Sequence, residues 1–161
     1  MQANHVTRSF FLFLIVLFFA ASPKELRATS TLPNSSRNSY EPKLAHDFDL
    51  RTAWVEGESD YGVGEKLHID FELSDVLAVT HIEVYNGYAK NERIWQSNSR
   101  VKKMALYAND QLLGHLLLED TYYQQRFEVG SLNGDEEGKL TFSFEILEIY
   151  PGSKYADSYL F

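Results

Sequence analysis

Residues 66–73, Lys66-Leu67-His68-Ile69-Asp70-Phe71-Glu72-Leu73, alternate without a fault. Leu67, Ile69, Phe71 and Leu73 fall on one side, and His68, Asp70 and Glu72 on the other. A period of two held over this length specifies a strand with one buried and one wetted face, and it does not fit an amphipathic helix. Thr80-His81-Ile82-Glu83-Val84-Tyr85 repeats the pattern, which puts His68 and His81 on outward, solvated positions. Met104, Leu106 and Ala108 share a face, and Asn109-Asp110 makes a tight turn into the apolar run 111–118. Residues 125–129 form a short strand. After an Asn133-Gly134-Asp135 turn, Leu140, Phe142, Phe144 and Ile146 line one face of a long final strand. No segment sustains a helical period. Roughly seven short strands separated by turn residues predict an all-β fold, an antiparallel β-sandwich.

Upstream of the strands the chain changes character twice. His5 and Arg8 precede an uninterrupted apolar run, Phe10 to Ala21, followed by Ser22-Pro23. Such a run falls short of the roughly 20 residues that cross a bilayer but matches the core of a secretory signal. Residues 1–23 are therefore expected to be a signal peptide, with no stable membrane span after processing. The destination is extracytoplasmic: secreted, periplasmic or in the cell envelope. Residues 24–43 are rich in Ser, Thr, Asn and Pro and read as a disordered leader or linker. The folded unit is expected over 44–161, a size that buries about two-thirds of its unfolded surface.

The chain carries a formal net charge of −8 and no Cys. The acidic balance argues against a nucleic-acid partner, and the missing Cys removes disulfides, thiol nucleophiles and thiolate metal sites. The histidines lack metal-binding spacing, no nucleophile elbow is present, and Gly62-Val63-Gly64-Glu65 does not join a strand to a helix. No catalytic set emerges, so an enzyme is not expected.

Two constellations remain. Asp47-Phe48-Asp49-Leu50-Arg51-Thr52 places two alternating carboxylates before a hydroxyl. Asp47, Asp49 and Thr52 can supply hard oxygen ligands to a structural Ca²⁺, the one cofactor candidate. Equally, the two Asp side chains can bond nearby N–H groups and build a turn. The second constellation is the stretch between two strands, "VYNGYAKNERIWQSNSRVKK", residues 84–103. It is far longer than an ordinary hairpin loop and too aromatic for a disordered one. Its Tyr88 and Trp95 lie outside any strand period and are expected to be exposed for contact. Ile149-Tyr150-Pro151-Gly152-Ser153-Lys154-Tyr155-Ala156-Asp157 has the same aromatic and polar mixture. Flat rings can stack on sugar C–H faces while Asn, Arg, Asp and Glu side chains bond hydroxyls. Glu56, Arg93 and Asp157 are the charged candidates for that work. Lys90, Arg93, Arg100, Lys102 and Lys103 make the loop locally basic, which favours acidic or phosphorylated sugars.

"DFDLRTAWVEG", "GVGEKLHIDF", "VYNGYAKNERIWQSNSRVKKMALYAND" and "ILEIYPGSKYADS" resemble the discoidin-like (coagulation factor 5/8 C-type) domain. More closely they resemble the NADase-type glycan-binding subgroup of that domain. The resemblance implies a galactose-binding-like jelly roll that recognises glycans from loops at one end. It places Trp54, Asn86, Tyr88, Asn98, Arg100, Tyr150 and Tyr155 on family motif positions, with Trp95 where the family carries an aromatic. The family pattern continues past Asp157 through a Ser-Glu pair and a last strand, whereas this sequence ends at Tyr159-Leu160-Phe161. A shortened last strand would leave a sheet edge open to weak homodimerisation. The expected function is a non-catalytic carbohydrate-binding module. The alternative is a protein-interaction or adhesin module of the cell envelope that uses the same loops.

Overall fold

The computed structural model describes residues 12–16 through their backbone, and residues 23–58, 61–73 and 78–154 in full. Nine strands, one short α-helix and one 3₁₀ helix appear among them. In chain order they are β1 (Leu12–Val16), β2 (Glu25–Ala28), the 3₁₀ helix (Pro42–His46), β3 (Trp54–Val55), β4 (Lys66–Glu72), β5 (Val79–Asn86), α1 (Glu92–Ser97), β6 (Arg100–Ala108), β7 (Gln111–Leu117), β8 (Gln125–Leu132) and β9 (Lys139–Tyr150). They make a five-stranded sheet in the order β2-β4-β9-β6-β7 and a four-stranded sheet in the order β3-β1-β5-β8. Each paired set of strands is antiparallel. This is the expected all-β sandwich.

The period-two stretches deliver the core they promised. Leu67, Ile69 and Phe71 of β4 pack with Met104 and Leu106 of β6, Phe142, Phe144 and Ile146 of β9, and Ile82 and Val84 of β5, all buried. Phe71 meets Phe142 edge to face, with ring centroids 6.2 Å apart. The β6–β7 turn puts both Asn109 and Asp110 at positive φ, 46° and 64°. That mirror-image turn matches the twist of two joined strands, which is why Asn and Asp serve there. Asn109 also accepts the Thr141 N–H at 2.8 Å, so the turn is fastened to β9.

The structure differs from the sequence expectations in three places. The segment expected as linker joins the fold. Leu26 and Ala28 of β2 pack against the core, and the Arg27 guanidinium bonds Asp70 of β4 at 3.0 and 3.3 Å. Farther on, Leu32 N–H donates to Val55 O at 2.9 Å, and the Trp54 indole N–H donates to Ser30 O at 3.1 Å. Next, residues 12–16, the middle of the apolar run, pair as a strand between β3 and β5, with Phe13 opposite both Trp54 and Asn86. Finally, His81, expected to be solvated, is buried on β5 opposite Glu128 of β8, with its Nδ1 3.1 Å from Thr80 Oγ1.

Candidate functional site

The long segment between β5 and β6 is a built cap. Its neck is closed by Asn86, whose side chain is buried. Nδ2 donates to Val101 O at 2.7 Å and Oδ1 accepts Val101 N–H at 3.0 Å, so one amide side chain replaces a backbone ladder pair. Gly87 follows at φ +90°, where a Cβ would stand 2.6 Å from Arg100 Cγ. Only glycine accepts both the angle and the contact. Asn91 then caps α1, its Oδ1 accepting Ile94 N–H at 2.9 Å. The short helix turns Trp95 inward.

Trp95 is thus buried, not exposed as expected, with 8% of its surface accessible. Its indole N–H donates to Asn86 O at 2.6 Å, and Tyr122 meets it edge-on at 6.0 Å. Arg100 covers its face and is itself buried. The guanidinium grips Asp120 through Nε and Nη2, both at 2.8 Å, and donates through Nη1 to Asn98 O at 2.7 Å. Trp95 and Arg100 therefore hold the cap from inside. Trp54 is fully buried in the main core, Glu56 is buried and accepts Glu58 N–H at 2.7 Å, and Tyr150 donates to Leu118 O at 3.1 Å. None of these faces a common opening. Tyr155 and Asp157 lie outside the described residues.

The other candidates converge. Tyr88 donates its hydroxyl to Arg51 O at 2.8 Å, which ties the cap to the 47–52 turn. The Pro151-Gly152 turn docks on the far end of α1, with Ser153 N–H donating to Gln96 O at 2.9 Å. A Cβ on Gly152 would stand 2.5 Å from Ser97 O. Between these segments opens a cleft of about 770 Å³ lined by Tyr88, Arg93 and Asn98 among the expected residues. The expected-metal turn adds Arg51 and Thr52, and β3 and its approach add Ala53 and Val55. The sequence reading missed the fourth wall: Arg37, Asn38, Ser39 and Tyr40 from the supposed linker. Their signal was a lone Tyr in a polar run, carried on a turn in which Ser35 Oγ accepts Asn38 N–H at 3.0 Å and Asn34 Oδ1 accepts Tyr40 N–H at 2.9 Å.

The 47–52 segment is the turn of the two alternatives left open. Asp47 accepts Asp49 N–H at 3.0 Å and the Thr52 hydroxyl at 2.6 Å. Asp49 accepts Arg51 N–H and binds its guanidinium at 2.7–3.2 Å. The Arg51 side chain holds the Asp49 carboxyl down to about 2. A donor set already occupied by a guanidinium and by turn N–H groups does not fit a divalent ion, and no cluster of metal-binding side chains occurs among the described residues. Tyr88 moves the other way: burial, with Tyr40 and Asp49 nearby, raises its phenol above the ordinary value, so it remains a neutral donor.

What the cleft offers is a mixed surface. Ile94 and the Tyr40 and Tyr88 rings, which pack over the buried Val55, supply apolar area, and amide and cationic side chains stand around them. Such a floor and rim suit a ligand with C–H faces and hydroxyls.

A family model described as the NAD glycohydrolase translocation F5/8 type C domain matches residues 18–160. Among solved structures the chain is similar to CpGH89CBM32-5 from Clostridium perfringens, in complex with GalNAc-β-1,3-galactose. The two share 17% identity over 84% of this chain and 92% of that one, with a TM-score of 0.54, a likeness of fold. No curated protein matches the chain.

Proposed function

Since the chain belongs to the NAD glycohydrolase translocation F5/8 type C domain family, we propose that it is an exported, non-catalytic carbohydrate-binding module that takes glycans into the cleft between the cap, the 47–55 segment and the 37–40 turn. The observation that carries this reading is the convergence of these segments on one 770 Å³ cleft at the loop end of a sandwich. A volume of that order is within the range of small-molecule sites. The likeness to a carbohydrate-binding module solved with a disaccharide supports the ligand class. Within the cleft, Tyr88 and Tyr40 offer rings to sugar C–H faces, and the exposed Asn38 and Asn91 are the hydroxyl partners. Trp54, Trp95 and Arg100, buried as they are, shape the site without touching the ligand.

A glycan array with the full chain, read beside Tyr88→Ala and Asn91→Ala, tests the assignment. Binding to a defined glycan set, weakened by both substitutions and competed by free sugar, is the expected result. Binding to a protein partner undisturbed by sugar would favour the adhesin reading instead. Incubation with NAD is expected to release no nicotinamide above a buffer control. Export is tested by intact mass of the extracytoplasmic form, expected to be shorter by about 20–30 residues.

A further inference from the structure

Five cationic residues, Arg37, Arg51, Lys90, Arg93 and Lys154, line the cleft, and no carboxylate does among the described residues. That concentration stands out in a chain with 23 acidic and 15 basic side chains. Arg51 is matched by Asp49. Arg37, Lys90 and Arg93 are exposed and make no ion pair among the described residues. The basic residues expected to matter from the sequence sort differently. Arg100 is spent on Asp120, and Lys102 pairs with Glu148 away from the cleft. Two separate segments, 37–40 and 90–93, bring their unmatched cations to one cleft.

We infer that the preferred ligand is a glycan bearing a carboxylate or sulfate, its sugar ring on the Tyr40 and Tyr88 floor and its acidic group near Arg37, Lys90 and Arg93. The inference rests on the glycan reading above. Unmatched cations beside a low-dielectric wall focus field on an incoming anion, and their guanidinium forks match a planar carboxylate or a sulfate. An extended polyanion such as nucleic acid is disfavoured, because the chain as a whole carries a net charge of −8 and repels it beyond the cleft.

The test uses matched pairs on the full chain: sialyllactose against lactose, and a heparin oligosaccharide against its fully desulfated form. The acidic member of at least one pair is expected to bind about tenfold more tightly or better. Which pair responds separates carboxylate from sulfate. That preference should shrink between about 0.05 and 0.5 M salt, as the screening length contracts. Lys90→Glu combined with Arg93→Glu should abolish the preference while the melting temperature stays put, since both side chains are exposed. Lys90→Gln with Arg93→Gln should reduce it to an intermediate level. Equal binding within both pairs would overturn the inference and leave the glycan reading standing. Equally tight binding to single-stranded DNA or to anionic vesicles would overturn it as non-specific attraction. Absence of binding to any glycan would defeat the glycan reading and this inference with it.

Discussion

Arg100 holds its guanidinium 4.6 Å from the Trp95 ring centre, and Trp95 is buried beneath it. Trp95 comes from α1 and Arg100 from the start of β6, and they meet inside the cap, so it is held from within. A cation over an indole face contributes about 0.5–2 kcal/mol depending on its desolvation. The larger part of the stabilisation is the apolar area of the indole itself.

Trp95→Ala is therefore expected to cost about 3–5 kcal/mol of stability, the range for emptying a buried aromatic position. Phe142→Ala, in the main core, should cost a similar amount. Chemical denaturation of both variants beside the parent checks this. A Trp95→Ala loss within about 0.5 kcal/mol, the range of an unremarkable surface site, would mean that the side chain is not the plug the geometry makes it.

Asp120 is the counter-charge that lets Arg100 stay buried. Removing it strands a guanidinium with 8% side-chain exposure, whereas the carboxylate is 38% exposed. Solvent on the Asp120 side tempers the penalty, so Asp120→Ala is expected to cost about 2–3 kcal/mol, below the full range for breaking a buried pair. The double variant Asp120→Ala/Arg100→Met should recover part of that loss by removing the stranded charge as well. A double-mutant cycle with no coupling between the two positions would refute the pairing.

The pH dependence has a sign that can be worked out at each end. Tyr88 has a phenol pKa raised above 10.0 by burial. A raised value in the fold means that its contribution is intact below the unfolded value and is lost as pH climbs through the higher, folded one. Asp49 is lowered from 3.8 to about 2 by Arg51. Its contribution is intact above 3.8 and is lost only as pH falls through about 2. The cap and the 47–52 turn, joined by the Tyr88 hydroxyl, should thus stay linked from about pH 4 to about pH 10. Carboxyl and tyrosyl titrations by NMR check both limits. An Asp49 midpoint at its ordinary value would show that the Arg51 contact does not persist in solution.

Much of the sandwich could be read from residues 66–73, 80–85 and 101–146, because strict alternation leaves a strand only one face to bury. The cap was harder. Trp95 belongs to a helix of six residues, Glu92–Ser97, too short to show a period, so its inward direction is fixed by tertiary contacts with Asn86, Arg100 and the more distant Tyr122. The cleft wall at Arg37–Tyr40 was invisible for the same reason. It is polar and irregular, and its place comes from backbone bonds such as Val55 N–H to Tyr40 O at 3.3 Å. Asp47 and Asp49 show the converse limit: a carboxylate spacing that suits an ion also suits a turn, and Arg51, two residues after Asp49, binds its carboxylate instead.

In β1, Leu14 pairs with Tyr85, Ile15 with Val84 and Val16 with Glu83 of β5, while Leu12 and Phe13 pair with β3. These same residues form the middle of the apolar run expected to leave on export, so a chain that retains them and one that has lost them cannot have the same sheet. Without β1, the backbone groups of β3 and of one edge of β5 lose their partners, next to core residues Trp54 and Val84. Unpaired edges of that kind template pairing with another strand. A chain starting at Lys24 is therefore expected to melt about 5 °C or more below the full chain, in line with a loss of at least ~1 kcal/mol in a domain this size. It should also show a concentration-dependent mass in light scattering, as two copies pair through the open slot. A peptide spanning residues 11–17 should restore the melting temperature in a dose-dependent way, because a ligand that binds only the folded state stabilises it by mass action. A shortened chain that stays monomeric, melts with the parent and ignores the peptide would show that the slot closes on itself and that β1 is dispensable to the fold.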